Sequence, residues 1–374
     1  MSSLRANAAP ASGSTGPVEG PTVAVTGAAG LLGSLVVERL LARQGAGVGV
    51  VRALDTVAGA HPGAQWWVGP TGSPEVVEGL AGADVVVLLA APLDLQATLS
   101  VPVAERRGEV VRRTQAVTTA AAAVGARRLV AVTSAMVLGA RDGAPVPLPD
   151  DAPVAAVADS GGVGDLLEVE AVLARVPRSH PSLAVTVLRP ATVVGPGVDT
   201  VVSRHFEAPR LLVLRESRTV WQFCHVEDLA EAVAVAVVAG LEGPLTVGSP
   251  GTLDQAQIEL VSGMRRVELT EAMALSTAER LHRIGVLPAP ASDLAYVVRP
   301  WAVSAQRLLD AGWAPTHDNL TCLGVLLDQV RGHHAVASRR LDRKDAALGA
   351  AGAAVALVGT AAIVRRRRRK DGGS

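Results

Sequence analysis

The chain has 374 residues, of which 49% are hydrophobic and 19% charged, and its formal net charge is zero. This composition supplies a buried core and carries no overall positive charge, so it predicts no nucleic-acid binding. The two cysteines, Cys224 and Cys322, have no paired spacing, which argues against a disulfide framework and predicts no zinc or other metal site.

Apolar segments alternate with helical patterns from Thr22 onward. The predicted strands are 22–27, 48–55, 84–91, 128–135 and 183–194, and the predicted helices are Leu31–Arg43, Pro74–Ala81, Val103–Val124 and Gly164–Val176. Strands that are apolar almost throughout and separated by helices are typical of a parallel sheet buried on both faces. The sequence therefore predicts an α/β fold with a doubly wound parallel sheet of the Rossmann type.

Composition changes along the chain predict six segments. They are a disordered tail (1–20), a dinucleotide-binding Rossmann domain (21–195), a smaller substrate-side lobe (196–330), a basic linker (331–345), an apolar helix (346–364) and a basic tail (365–374). The first segment consists mainly of Ala, Ser, Gly and Pro without an apolar run, so we expect neither a packed core nor a secretory signal peptide there.

A strand, a glycine-containing turn and a helix follow one another in TVAVTGAAGLLGS, residues 22–34. In this pattern the first glycine permits the tight turn, the second lets the backbone approach a pyrophosphate, and the third lets helix and strand pack closely. The helix N-terminus directs its partial positive charge at the phosphates. We therefore predict a dinucleotide site, with a tight turn that binds no ligand as the alternative. The predicted cofactor-binding residues of this turn are Gly27, Ala29, Gly30, Leu31, Leu32 and Gly33.

Asp55 ends the second predicted strand, about 22 residues beyond Gly33. A carboxylate at this position accepts hydrogen bonds from the adenosine ribose hydroxyls, which favours NAD over NADP. Arg52 is close enough in sequence to leave NADP open, and an ordinary solvated acid at the strand end is the alternative interpretation of Asp55.

Five segments occur in an ordered series: TGAAGLLG (26–33), VVVLLAA (85–91), VTSAMVLG (132–139), LRPATVVGPG (188–197) and HVEDLAEAV (225–233). Together with AVSAQRLLDAGWAP (302–315), they resemble the extended short-chain dehydrogenase/reductase family, the NAD-dependent epimerases and dehydratases typified by sugar-nucleotide 4-epimerases. The resemblance covers residues 22 to about 330.

The resemblance implies roles for residues outside the glycine turn. Pro190 would flank the nicotinamide, and Ser134 stands where the family has its catalytic serine. His225 and Asp228 match the family's HVxD segment, which shapes the substrate-side lobe, although packing or helix capping is the favoured role of this histidine. The residues that would lie along the adenosine side are Leu89, Ala90 and Ala91.

The family's catalytic pair, Tyr-x-x-x-Lys, is missing from this chain. In the family the tyrosine exchanges a proton with the substrate during hydride transfer, and the lysine binds the nicotinamide ribose and lowers the tyrosine pKa. The match of LEVEAVL (167–173) to the family places Gly162 at the tyrosine position and Leu166 at the lysine position. The only tyrosine is Tyr296, and the only lysines, Lys344 and Lys370, lie near the C-terminus.

Three acids lie near these positions in sequence: Asp159, Asp165 and Glu168. Asp165 directly precedes Leu166, so on an ideal helix it would face about 100° away from the lysine position. Ser134 needs an adjacent activator to serve as a base, and we interpret it as an inherited hydroxyl at a strand end.

Residues 346–364 carry no charged side chain, and the basic run RRRRRK (365–370) follows them. As a helix this apolar run would be about 28 Å long, close to the hydrocarbon thickness of a bilayer. We predict that 346–370 attaches the protein to the cell membrane, as a spanning anchor or as a helix on anionic lipid, with the globular part in the cytoplasm. A soluble alanine-rich helix with a basic end is the alternative.

Three functions follow as hypotheses. The first is an NAD-binding protein that lacks the family's redox step and acts on or senses a ligand like a nucleotide sugar. The second is an active epimerase, dehydratase or oxidoreductase with a non-standard acid or base, and the third is a membrane-associated interaction module without cofactor. The glycine turn argues against the third, and the missing tyrosine and lysine argue against the second. The sequence leaves open whether the protein forms a homodimer.

Overall fold

The computed structural model describes residues 20–90, 93–284 and 289–337, with side chains up to residue 331. Its strands are β1 (Val23–Thr26), β2 (Val51–Asp55), β3 (Gln65–Val68), β4 (Val85–Leu89), β5 (Arg128–Val132), β6 (Ala184–Pro190), β7 (Thr192–Val194), β8 (Leu211–Leu214), β9 (Val220–Trp221), β10 (Phe223–His225), β11 (Gly243–Val247), β12 (Leu253–Asp254) and β13 (Arg266–Leu269).

The α-helices are α1 (Leu31–Leu41), α2 (Val76–Gly79), α3 (Leu95–Ser100), α4 (Val103–Ala123), α5 (Gly162–Leu173), α6 (Val176–Ser179), α7 (Val201–Glu207), α8 (Val226–Ala239), α9 (Gln255–Ser262), α10 (Glu271–Arg283), α11 (Ala295–Val298), α12 (Gln306–Asp310) and α13 (Asn319–Ala337). Short 3-10 helices cover Ala135–Leu138 and Ala291–Leu294.

The main sheet has seven strands in the order β3-β2-β1-β4-β5-β6-β11. Every neighbouring pair is parallel, which confirms the predicted Rossmann-type sheet. The strand order reverses between β1 and β4, and in sheets of this kind the crevice at such a reversal is where ligands bind. The glycine turn after β1 opens at this crevice.

The two faces of the sheet pack into separate cores because successive strand residues point to opposite sides. Val23 and Val25 of β1 belong to a core shared with α1 and α8. Ala24, between them, belongs to a second core with residues of α2, α4 and α5. Helices therefore cover both faces, as the apolar strands predict.

The lobe forms around three small strand pairs. β7 pairs with β10 and β8 with β13 in parallel, whereas β9 and β12 are antiparallel. Its core includes Phe206, Trp221 and Phe223 and takes apolar side chains from α13. β11 lies beyond residue 195 in the chain but joins the main sheet, so the domain boundary at 195 stays a prediction.

The described C-terminal helix, α13, continues to Ala337 and so enters the predicted linker 331–345. Among the described helices, none combines the length and apolar character needed to cross a bilayer. The predicted apolar helix 346–364 and basic tail 365–374 lie outside the described residues, as does the N-terminal tail up to residue 19. Membrane attachment through 346–370 therefore stays a prediction.

Candidate cofactor and ligand site

The glycine turn joins β1 to α1 through two close backbone approaches. Gly27 has φ +74°, a value that favours glycine, and its N–H donates to the Leu54 carbonyl at 2.9 Å. A Cβ on Gly33 would lie 2.7 Å from the Ala28 Cα and closer still to the Gly27 carbonyl oxygen. The helix therefore approaches the strand only because residue 33 has no side chain. Gly30 is the N-cap of α1, and no side chain caps this end of the helix. The N-terminus of α1 is therefore suited to bind an anion.

The other predicted turn residues differ in exposure. Ala29 is half-buried, Leu31 is 40% exposed, and Leu32 is 5% exposed and packs into the core. The Leu32 side chain therefore faces away from any ligand in the turn. Of the residues predicted on the adenosine side, Leu89 ends β4 and Ala90 is buried after it, while Ala91 lies outside the described residues.

Asp55 lies at the carboxyl end of β2, against the glycine turn. Its Oδ2 accepts a hydrogen bond from the Ala29 N–H at 2.9 Å, and its Oδ1 accepts one from the Thr56 N–H at 2.7 Å. The Arg52 guanidinium instead contacts the Gly79 carbonyl at 3.5 Å. This placement holds the carboxylate beside the turn, where an adenosine ribose would lie.

Arg113 of α4 is a cation near Asp55 that sequence reasoning missed. Burial lowers the pKa of Arg113, and the negative charges of Glu109 and Asp55 act in the opposite direction. Its Nε is buried and has no hydrogen-bond partner within the described part of the chain. No sequence motif marks this residue, because α4 brings it to the site through packing.

A cavity brings together four positions that were singled out from the sequence: Ser134, Gly162, Leu166 and Pro190. Its volume is about 100 Å³. A Cβ placed on Gly162 meets no atom within 4 Å beyond its own stretch of helix, so the tyrosine position has open space around it. We call it the α5 cavity. The Ser134 Oγ accepts a hydrogen bond from the Met136 N–H at 3.2 Å and caps the following 3-10 helix.

A buried ion pair supports the wall of the α5 cavity and links two of the sequence segments. Glu170, in LEVEAVL, pairs with Arg189, in LRPATVV, through contacts of 3.0 Å from Nε to Oε1 and 2.8 Å from Nη2 to Oε2. Thr133, which lines the cavity, donates to Glu170 Oε1 at 2.8 Å. Both charged side chains are 7% exposed, so removing either one would leave the other as an uncompensated buried charge.

The three acids considered as replacement bases are engaged elsewhere or exposed. Asp165 is buried and paired with Arg106 and Arg107. Asp159 accepts a hydrogen bond from the Gly161 N–H at 2.8 Å and another from the Ser292 hydroxyl. Glu168 is exposed on α5. These contacts favour structural roles for Asp159 and Asp165.

Asp293 is an acid of the α5 cavity that sequence reasoning missed. It lies in the 3-10 helix Ala291–Leu294 of the lobe and is 4% exposed. Burial first, and then the negative charge of Asp159, raise the pKa of the Asp293 carboxyl to about 7, against the opposing charge of Arg106. The surrounding sequence, PAPASDLAYV, carries no signal that could have identified it.

Residues of the HVxD segment, at the start of α8, contact the part of the chain that follows α12. His225 caps α8, its Nδ1 accepting from the Glu227 N–H at 3.4 Å, and its ring stacks on His317 with centroids 3.8 Å apart. Asp228 accepts hydrogen bonds from the backbone N–H groups of Thr316 and His317 at 2.9 and 3.0 Å. Burial and His317 lower the pKa of His225. These contacts are those of a packed, capping histidine.

Sequence relatives match a part of the chain. An uncharacterized protein of Mycobacterium tuberculosis (strain ATCC 25618 / H37Rv) and one of Mycobacterium bovis (strain ATCC BAA-935 / AF2122/97) are each 31% identical over 133 residues. The match takes in 35% of this chain and 35% of each relative, so the chain spans about a third of the length of these relatives.

Solved structures share the fold over most of the chain. A UDP-galactose 4-epimerase is 21% identical with a TM-score of 0.58, covering 83% of this chain and 99% of its own. MoeE5 in complex with UDP-glucuronic acid and NAD is 22% identical with a TM-score of 0.57 and the same coverage, 83% and 99%. The dTDP-glucose 4,6-dehydratase of Bacillus anthracis in complex with NAD is 16% identical with a TM-score of 0.59, covering 84% and 98%. At these identities the likeness shows a common fold.

The model of the NAD dependent epimerase/dehydratase family matches residues 23–245, more than half of the chain. That stretch begins at β1 and ends within β11. It contains the glycine turn, Asp55 and the residues of α5. The chain belongs to the NAD dependent epimerase/dehydratase family.

Proposed function

We propose that the protein binds NAD along the glycine turn, with Asp55 on the adenosine ribose, and has lost the hydride-transfer step that depends on tyrosine and lysine. The observation that supports this proposal is the α5 cavity, which is lined by Gly162 and Leu166, the residues that the resemblance assigns to the positions of the missing pair. Neither side chain can exchange a proton or bind a ribose hydroxyl.

Tyr296 does not replace the missing tyrosine. It is 6% exposed, and its hydroxyl donates to the Met136 carbonyl at 2.7 Å. Burial, followed by the charges of Asp293 and Asp159, raises the pKa of this phenol above its ordinary value, so a phenolate is disfavoured. No lysine occurs before Lys344.

The ligand proposed for the remaining site resembles a nucleotide sugar. MoeE5 has been solved with UDP-glucose and with UDP-glucuronic acid, in each case together with NAD, and this fold-level analogy supports the ligand class. The protein would bind or sense such a ligand, with its membrane attachment supplied by 346–370.

Calorimetric titration of the full chain with NAD and NADP tests cofactor binding. Gly30→Asp places a negative charge at the phosphate position and should abolish binding. Ala46→Asp adds the same charge in an exposed turn beyond the C-terminal end of α1 and should leave binding intact. Absence of NAD and NADP binding by the wild type would refute the proposal, whereas tighter binding of NADP would overturn only the role of Asp55.

A second experiment tests the loss of hydride transfer. The absorbance of the reduced nicotinamide would be followed with the full chain, NAD and a panel of sugar nucleotides, alcohols and ketones. We expect no turnover at rates typical of the family. One observation favours the alternative of an active enzyme with a non-standard acid or base, namely Asp293 in the α5 cavity. Robust turnover that Ser134→Ala or Asp293→Asn abolishes would establish that alternative.

A further inference from the structure

A carboxyl oxygen without a hydrogen-bond partner lies at the α5 cavity. The Asp293 side chain is one of those that line the cavity, and its Oδ1 is shielded from solvent and has no partner among the described residues. Leaving a buried polar oxygen unpaired costs free energy. Such an atom in a native fold therefore calls for an explanation other than packing.

The donors around Asp293 are committed to other acceptors. Arg106 gives its Nε to Asp165 and its Nη2 to the Ser160 carbonyl at 2.8 Å. The Tyr296 hydroxyl donates to a backbone carbonyl, and the Ser292 hydroxyl donates to Asp159. Arg106 therefore acts on the Asp293 carboxyl through its charge, and none of these three side chains hydrogen-bonds to Asp293 Oδ1.

The free oxygen lies beside Gly161, one residue before the position of the missing tyrosine. A Cβ placed on Gly161 would be 3.2 Å from Asp293 Oδ1. The next residue, Gly162, begins α5, and a Cβ placed there meets no atom within 4 Å. Gly162 and Asp293 line the same cavity, so the lobe brings a carboxyl group to the cavity at which the family's tyrosine is missing.

We propose that Asp293 hydrogen-bonds to a hydroxyl or carbonyl group of a ligand bound in the α5 cavity, and that the ligand surface there is largely apolar. Most of the lining side chains are apolar, among them Leu93, Met136, Val163 and Trp301. A pocket of this kind takes its specificity from a few polar groups. The proposal rests on the proposed function in one respect, since it takes the α5 cavity as the ligand site.

Burial has the largest effect on the protonation of Asp293, followed by two charged groups. Asp159, before α5, favours the neutral carboxyl, Arg106 of α4 favours the carboxylate, and Tyr296 of α11 is neutral. With a pKa of about 7, the carboxyl can donate to a ligand carbonyl when protonated and accept from a ligand hydroxyl when ionised.

An apolar carbodiimide, which reacts with protonated carboxyl groups, tests the proposal on the full chain without cofactor. Asp293 is the only side-chain carboxyl in the tryptic peptide 284–307, so mass spectrometry of that peptide assigns the modification, and Asp293→Asn should remove it. The labelled fraction should fall about tenfold between one pH unit below 7 and one above, following the protonated carboxyl. Absence of labelling below pH 7 would overturn the proposal.

Two competition experiments test access through the cavity. Benzyl alcohol should protect Asp293 severalfold better than toluene at equal concentration, because only the alcohol can hydrogen-bond to the carboxyl.

Gly162→Leu should lower labelling by filling the cavity. Gly324→Leu should not, because Gly324 is a helical glycine outside the cavity with open space around its Cβ position. Equal protection by the two probes, or labelling unchanged in a folded Gly162→Leu variant, would contradict the proposal. Because no cofactor is present, failure here leaves NAD binding untouched.

Discussion

Replacing Asp293 with asparagine should stabilise the protein at high pH and leave its stability unchanged at low pH. In the unfolded chain the carboxyl ionises near its ordinary value of 3.8, but in the folded protein its pKa is raised to about 7. Between these values the folded state retains a proton that the unfolded state has released, so the free energy of unfolding falls as pH rises. Each unit of difference between the folded and unfolded pKa corresponds to about 1.4 kcal/mol. The rise from 3.8 to about 7 therefore lowers the free energy of unfolding by up to about 4 kcal/mol, and this loss is complete above pH 7.

Urea unfolding of the full-length wild type and Asp293→Asn, followed by tryptophan fluorescence, measures this difference. Below about pH 4 the two curves should coincide, and above pH 7 the variant should be the more stable. Asp318→Asn is the control for which the stability difference from wild type should depend on pH in the opposite direction. A hydrogen bond from the Thr321 backbone lowers the pKa of this exposed carboxyl, so its contribution is present at high pH and lost as pH falls. A stability difference between Asp293→Asn and wild type that does not change with pH would refute the assignment.

Three further results are expected. Gly33→Ala should lower the free energy of unfolding by several kcal/mol, because its Cβ would meet backbone atoms of the turn. The control Gly324→Ala has open space around its Cβ position and should be neutral or slightly stabilising. Equal effects of the two substitutions in urea unfolding would contradict the role of Gly33. Glu170→Gln leaves Arg189 buried without its charge partner and should cost about 3–5 kcal/mol, measured in the same way. Full-length protein should sediment with membranes and a 1–340 truncation should not, whereas full-length protein found wholly in the soluble fraction would end the membrane prediction.

The central strands of the sheet could be predicted from the sequence and its two edges could not. β1, β2, β4, β5 and β6 are nearly continuous apolar runs because helices cover both their faces. β3, at one edge, has the sequence QWWV with no fully buried residue. β11, at the other edge, begins with Gly-Pro, a pair that marks turns, and its proline is tolerated because an edge strand lacks one neighbour.

The site divides in the same way, into local and non-local parts. The conformation of the glycine turn and the position of Asp55 beside it were predictable because they depend on short strand and turn segments close together in the sequence. Gly162 and Leu166 were placed by their spacing from LEVEAVL on one helix. Asp293 lies more than a hundred residues from that helix in the chain and reaches the cavity only through packing of the lobe, for which no local pattern exists.

Loss of the tyrosine and lysine need not remove NAD binding, because the two ends of the cofactor are held by different elements. The pyrophosphate and adenosine would be held by the turn between β1 and α1 and by Asp55, whereas the family's lysine, on the equivalent of α5, binds the nicotinamide ribose. With Leu166 at that position, the nicotinamide half should add little affinity. We therefore expect ADP-ribose to bind within a few-fold of NAD in calorimetric titrations of the full chain. A preference for NAD of tenfold or more, about 1.4 kcal/mol, would show that another group of this chain holds the nicotinamide ribose in place of the lysine.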